Sequence, residues 1–169
     1  MADKFIEVNP EDLPDNPFKA IGSQWMLITA GDADSFNTMT ASWGGLGIMW
    51  AKKICTCVVR PTRHTYSFME KSGTFSLSFF TEEYKKTLLF CGTHSGRDTD
   101  KMAATGLTPG QDNATIYFKE ARLVFLCRKI YYQDIDPSRF LDPAIEANYP
   151  QKDYHRMYLG EIIKCLTNQ

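Results

Sequence analysis

The sequence predicts a mainly β protein, an antiparallel β-barrel or an α+β barrel with a few short helices. Three observations carry this. Thr74–Phe80 (TFSLSFF) alternates cleanly, with Phe75, Leu77 and Phe79 on one face and Thr74, Ser76 and Ser78 on the other. At least five further segments have strand composition, and they are separated by Gly, Pro, Asn and Asp turn residues. The helical segments are short and do not alternate with the strands, so no βαβ rhythm requires a parallel sheet.

Taken in order, residues 1–24 read as an irregular arm, because Pro10, Pro14 and Pro17 prevent a long helix, and residues 25–169 read as one domain. Gln24–Ala30 is a short apolar strand, and the Gly31–Asp34 run is a turn. The stretch Asn37–Trp50 (NTMTASWGGLGIMW) follows. At period two, Thr38, Thr40 and Ser42 share one face of a strand, and Asn37, Met39, Ala41 and Trp43 share the other. Gly44-Gly45 then permits close backbone approach. That combination suits a flat ligand lying against the backbone; a half-buried strand ending in a Gly turn suits it as well.

Ile54–Val59 is a β-branched strand stopped by Arg60-Pro61. Thr65–Ser72 forms a short helix closed by Gly73, and Glu82–Cys91 a helix with Thr81 as N-cap. Cys91–Lys101 is a polar loop, Met102–Thr105 one helical turn before Gly106, and Pro109-Gly110 a turn. Thr115–Phe118 is a short strand and Ala121–Gln133 a long, largely buried one. Pro143–Asn148 is a small helix, and Tyr154–Cys165 is the last strand.

Composition narrows the function. Nineteen Lys and Arg against 20 Asp and Glu leave a net charge of −1, so nothing favours nucleic acid or an anionic membrane surface. No apolar run approaches the roughly 18 residues of a membrane span. The N-terminus is polar and proline-punctuated, unlike a secretory leader. Five cysteines without a Cys-x-x-Cys pair fit reduced thiols, with Cys55 and Cys57 on one strand face. His64, His94 and His155 lack metal-ligand spacing, so no metal site is expected. The expectation is a cytoplasmic protein.

Two polar segments could carry chemistry. Arg60-Pro61-Thr62-Arg63-His64-Thr65 lies between a strand and a helix start, where free N–H groups and the positive dipole end favour an anion. Two arginines add bidentate donors that capping by Thr62 or Thr65 alone would not need. In Ser95-Gly96-Arg97-Asp98-Thr99-Asp100-Lys101, Arg97 and Lys101 could meet an anion while Asp98 or Asp100 caps the next turn; an internally paired surface loop suits the segment as well. No glycine-rich nucleotide fingerprint or nucleophile elbow is present. Nothing fixes Cys91 and His94 as a catalytic pair.

Together NTMTASWGGLGIMW, VRPTRHTYSFME, TFSLSFF, FCGTHSGRDTDK and DYHRMYLGEI, in this order from about Trp25 to Glu161, resemble the flavin reductase-like family of FMN-binding split β-barrels, which includes the flavoredoxins. The resemblance implies a split antiparallel barrel, a homodimer, and FMN held noncovalently near the dimer interface. On matching positions, Asn37, Thr38, Thr40, Ser42 and Trp43 would line the flavin ring, and Arg60, Thr62, Arg63 and Thr65 would hold the phosphate and ribityl chain. Ser95, Gly96, Arg97 and Lys101 would complete the site or adjoin the nicotinamide donor, and His155 would approach the flavin. Because the cofactor carries the chemistry, no catalytic side chain is expected. The implied activity is hydride transfer from NAD(P)H to flavin N5 and onward to free flavin or a redox partner protein. The alternatives are a flavoredoxin-like carrier without efficient NAD(P)H turnover, or a barrel that lost its cofactor and serves in protein interactions.

Overall fold

The computed structural model describes residues 5–168. Its strands are β1 (Phe5–Glu7), β2 (Met26–Gly31), β3 (Phe36–Ala41), β4 (Gly44–Met49), β5 (Lys52–Val59), β6 (Thr74–Phe79), β7 (Pro109–Asp112), β8 (Thr115–Phe118), β9 (Leu123–Asp134) and β10 (Arg156–Asn168). The helices are α1 (Pro17–Lys19), α2 (His64–Lys71), α3 (Lys85–Thr93) and α4 (Lys101–Thr105).

One antiparallel sheet runs β3-β2-β6-β9-β10-β5-β4, with β1 pairing on β10. The end strands β3 and β4 do not pair with each other, so the sheet curls without closing. A separate β7-β8 hairpin lies against β6. This is a split barrel, the architecture the resemblance implies.

Strand alternation builds two cores, one on each side of the sheet. Met26, Ile28, Phe75, Leu77, Phe79, Phe125 and Cys127 fill the barrel interior, while Leu27, Val124 and Leu126 face the outer layer with Leu88, Cys91 and Phe118. The serine face of β6 is therefore buried rather than solvated. Ser76 Oγ donates to the Ile116 carbonyl at 2.6 Å, and Ser78 Oγ is the one buried side-chain polar atom left unpaired among the described residues. Gly160 lets β10 cross this interior, since a Cβ there would lie 2.5 Å from Phe75 Cζ.

Several local expectations are corrected. Gly44-Gly45 is not a turn that ends the Asn37–Trp50 stretch but the start of β4, which turns back onto β5 through Trp50 and Ala51, both with positive φ (51° and 55°). Gly44 is required there: a Cβ would overlap the Thr56 carbonyl oxygen. The first 24 residues are not wholly irregular, for they contain β1, α1 and a π turn over Ala20–Gln24; residues 1–4 lie outside the described residues. The α2 helix ends at an extended Ser72, without a left-handed Gly73. Thr81 occupies the N-cap position, but its side chain makes no cap hydrogen bond; Oγ1 donates instead to Glu83 Oε1 at 2.7 Å, and the segment opens as a 3-10 turn over Glu82–Tyr84. Pro109-Gly110 begins β7 instead of a turn. Only Leu123–Cys127 of β9 is buried; Tyr131 and Tyr132 reach the surface where the strand outruns the core.

Candidate functional site: two joined cavities at the end of β3

Six segments converge where β3 leaves the barrel: 37–43, the end of β5 at Val58–Arg60, the turn into α2, the end of α3 and the loop after it at Gly92–Arg97, Lys101 at the start of α4, and His155 ahead of β10. They enclose two cavities of about 220 and 190 Å³ that share Met39 and Arg63 as a common wall. Thr40, Ser42, Trp43, Arg60, Arg63 and His155 line the first. Asn37, Thr62, Arg63, Thr65, Ser95, Gly96, Arg97 and Lys101 line the second. Among the described residues no carboxylate lines either one.

Of the sequence-predicted residues, Thr38 alone lies outside both cavities. Its hydroxyl donates to the Ile28 carbonyl at 3.1 Å and meets Thr29 Oγ1 at 2.9 Å, its neighbour across β2, so that hydroxyl is buried and paired beneath the outer layer of the sheet. Thr40 lines the first cavity, yet its Oγ1 donates to the Leu88 carbonyl of α3. Gly92, lacking a side chain, lets α3 press onto Thr40.

The polar residues are held from several directions. Asn37 Nδ2 donates to Thr65 Oγ1 at 2.7 Å, with Thr65 fully buried. Gly96 sits against Asn37 so closely that a Cβ would overlap Asn37 Oδ1, which ties the 95–101 loop to β3. Arg60 pairs with Asp153 at 2.7 Å, donates to the Asn148 carbonyl at 2.8 Å, and lies over the Tyr149 ring. Arg63 Nη2 donates to the Gly92 carbonyl at 2.9 Å, and burial, then Arg60, lowers its pKa. Arg97 Nη1 reaches the Thr62 carbonyl at 3.3 Å. Trp43 is 44% exposed, and its ring centroid lies 5.1 Å from that of His155.

The α2 start removes one of the alternatives left open by the sequence, the capping role. Its N-cap is Arg63, and no side chain caps it, so neither Thr62 nor Thr65 performs that role. The uncapped first turn, at His64 and Thr65, lines the second cavity and presents N–H groups with the positive end of the helix dipole. At the neighbouring loop Asp100 caps α4, accepting from Met102 and Ala103 N–H at 2.9 and 3.0 Å.

Lys101 is the least expected member. It is 6% exposed, and its ammonium donates to the Thr38 carbonyl at 2.7 Å and the Cys91 carbonyl at 2.8 Å. No carboxylate pairs with it among the described residues. Burial, with Arg63 adding to it against an opposing effect of Cys91, brings its pKa down to about 8. Together with Arg63 and Arg97 it makes the second cavity strongly electropositive, and burial followed by Arg97 and Lys101 also lowers the pKa of His64.

Sequence reasoning missed Tyr149 and Asp153, which hold Arg60 and His155 in place. Asp153 belongs to the DYHRMYLGEI motif, which could have flagged it. Tyr149 carries no local signal.

The cysteines are reduced and buried. Cys55 Sγ and Cys127 Sγ lie 3.4 Å apart in the interior, and burial pushes the Cys57 and Cys127 thiols up. They are core side chains, not nucleophiles. Among the described residues no His, Cys, Asp and Glu cluster could hold a metal, and no helix is long and apolar enough to cross a membrane.

Comparison with known proteins agrees with this architecture. No curated protein matches the chain. Among solved structures, flavoredoxin of Desulfovibrio vulgaris (Miyazaki F) is 21% identical with TM-score 0.68, covering 97% of this chain and 78% of that one. The FMN-binding domain of a flavin reductases-like enzyme from Shewanella baltica OS155 is 15% identical with TM-score 0.69, covering 98% and 78%. A protein from Shewanella frigidimarina NCIMB 400, described as having a split barrel domain, is 18% identical with TM-score 0.65, covering 84% and 65%. At these identities the structures speak for the fold. The family model described as flavin reductase like domain matches residues 18–169, nearly the whole chain, and the chain therefore belongs to that family.

Proposed function

We propose that the chain is an FMN-dependent oxidoreductase of the flavin reductase type that draws on NAD(P)H and passes electrons to free flavin or a redox partner protein. The observation that carries this reading is the pair of joined cavities, lined by cations and hydroxyls without a carboxylate and flanked by Trp43. That donor set fits a phosphorylated, planar, anion-bearing group. When bound, FMN supplies the hydride-accepting centre at its N5.

The residues of this chain bind and orient it. Arg60, Thr62, Arg63 and Thr65, with Ser95, Gly96 and Arg97, hold the phosphate and ribityl chain. Asn37, Thr40, Ser42 and Trp43 line the ring. The cation of Lys101 favours the negative charge of the reduced ring. Its Nζ is already placed by two carbonyls, so little ordering remains to be done on binding.

The test begins with a visible absorption spectrum of the purified protein, in which we expect flavin bands and release of FMN on denaturation. Steady-state oxidation of NADH or NADPH should follow. A colourless protein that takes up no added FMN overturns the proposal. The structural likeness to flavoredoxin supports a second reading, an electron carrier. Bound FMN without turnover of either nicotinamide would select it.

We also propose a homodimer located in the cytoplasm. The five unpaired, buried cysteines support a reducing compartment. The β4 edge supports self-association, since Leu46, Ile48 and Met49 of β4 and Trp50 in the turn after it are exposed, and β4 has one partner strand. Sedimentation equilibrium should give twice the 19.3 kDa chain mass, and Ile48→Asp should reduce it to the chain mass. A monomeric wild type at micromolar concentration would refute the dimer.

A further inference from the structure

We propose that Tyr149 is a positioning residue that holds His155 as the neutral Nε2–H tautomer, making the imidazole a fixed hydrogen-bond donor to the ligand of the Trp43 cavity and not a proton acceptor. The inference rests on that cavity being a ligand site.

Tyr149 and His155 are both buried, and Tyr149 Oη lies 2.8 Å from His155 Nδ1. Two proton arrangements are conceivable. If Nδ1–H donated to the phenol oxygen, the buried phenol proton would have no acceptor, because Tyr149 Oη makes no other side-chain hydrogen bond among the described residues. If the phenol donates, both groups are satisfied and Nδ1 is the bare nitrogen. Burial pushes the Tyr149 pKa up, so the phenol keeps the proton it donates.

The proton of the neutral ring then sits on Nε2. That atom has no hydrogen-bond partner among the described residues, and it is not among the buried unpaired atoms, of which Ser78 Oγ is the only one. It is therefore open to the cavity that His155 lines with Trp43, Ser42 and Arg63.

The groups facing the imidazole keep it neutral. Burial first, then Arg60 and Arg63, bring its pKa down to about 4, against the opposing charge of Asp153. Arg60 is itself locked by Asp153 and by the Tyr149 ring, whose centroid lies 4.9 Å from the guanidinium carbon. The ring is thus fixed in charge, tautomer and orientation by three neighbours, and what it offers the cavity is one N–H. A carbonyl oxygen or an unprotonated ring nitrogen is the matching ligand atom.

Imidazole ¹H–¹⁵N correlation spectra of the full chain, flavin-free and with FMN added, test this. The chain has three histidines, and His155→Gln identifies the signal. In the wild type we expect only the Nε2–H form, untitrated from pH 8 to 5.5. Tyr149→Phe keeps the ring and removes the hydroxyl. It should introduce a substantial Nδ1–H population and weaken FMN binding or nicotinamide turnover roughly three- to tenfold, the loss of one hydrogen bond. An Nδ1–H wild type, or a Tyr149→Phe spectrum identical to it, overturns the inference. If Tyr149→Phe does not fold, the wild-type spectrum alone decides. Failure to bind FMN with the Nε2–H form intact would defeat the flavin reading and leave the tautomer assignment standing.

Discussion

Replacing Arg60 and Arg63 together with Ala should raise the dissociation constant for FMN by about a hundredfold or more. Each guanidinium that meets a phosphate oxygen makes charge-assisted hydrogen bonds worth roughly 1.5–3 kcal/mol, and two such losses correspond to that factor. The structure adds a second contribution. Arg60 neutralises Asp153 at 2.7 Å, and without it that carboxylate loses its ion-pair partner and its charge repels an anion. Arg63 holds the Gly92 carbonyl, so its removal frees the end of α3. The measurement is fluorescence titration of FMN into the flavin-free protein, with thermal unfolding as the control for fold. A double Lys variant restores charge without the planar fork and should recover part of the affinity. A folded double Ala variant that binds FMN within twofold of the wild type would show that the phosphate sits elsewhere.

Lys101 gives the second large effect, and it reads out in the flavin-free protein. Its pKa is about 8 in the fold against an ordinary 10.5. A lysine whose folded pKa is depressed is charged at a cost below the folded value. Between pH 8 and 10.5 the unfolded chain binds the proton that the folded chain has released, so stability rises with pH in that window. Two and a half pH units correspond to about 3 kcal/mol. We therefore expect the stability of the wild type minus that of Lys101→Met to increase by about 3 kcal/mol across the window, measured by urea unfolding at each pH. A difference independent of pH would mean that the ammonium is not desolvated. The same variant should bind FMN about tenfold more weakly at pH 7, because the cavity loses its one fully buried cation. A buried charge without a carboxylate partner is costly for a fold to maintain, and its place in the wall of an otherwise electropositive cavity gives that cost a function.

How far the site was legible depended on how local each signal was. The hydroxyls, arginines and lysine of the three polar segments could be named as candidates from residue type and order. Their partners could not. Thr38 and Thr40 share one face of β3, yet the Thr38 hydroxyl is taken up by Thr29 and the Ile28 carbonyl while Thr40 lines the cavity under α3. That difference is made by which helix covers which end of β3, a contact between residues 48 positions apart. Arg60 read as a free phosphate donor, but Asp153, far along the chain, shares it.

Local pattern and composition were enough for the strand-rich class, the alternation of β6, the expectation of unpaired cysteines and, through the order of the motifs, the family. Each of these depends on neighbours within a few residues or on composition, where period-two alternation and turn chemistry act. Tertiary structure decided the open order of the sheet, the separate existence of β4, the burial of Lys101 and the union of Tyr149 with His155. These depend on register and packing between distant segments. A strand pattern is compatible with many pairings, and the pairing alone sets which polar atoms are left facing a cavity.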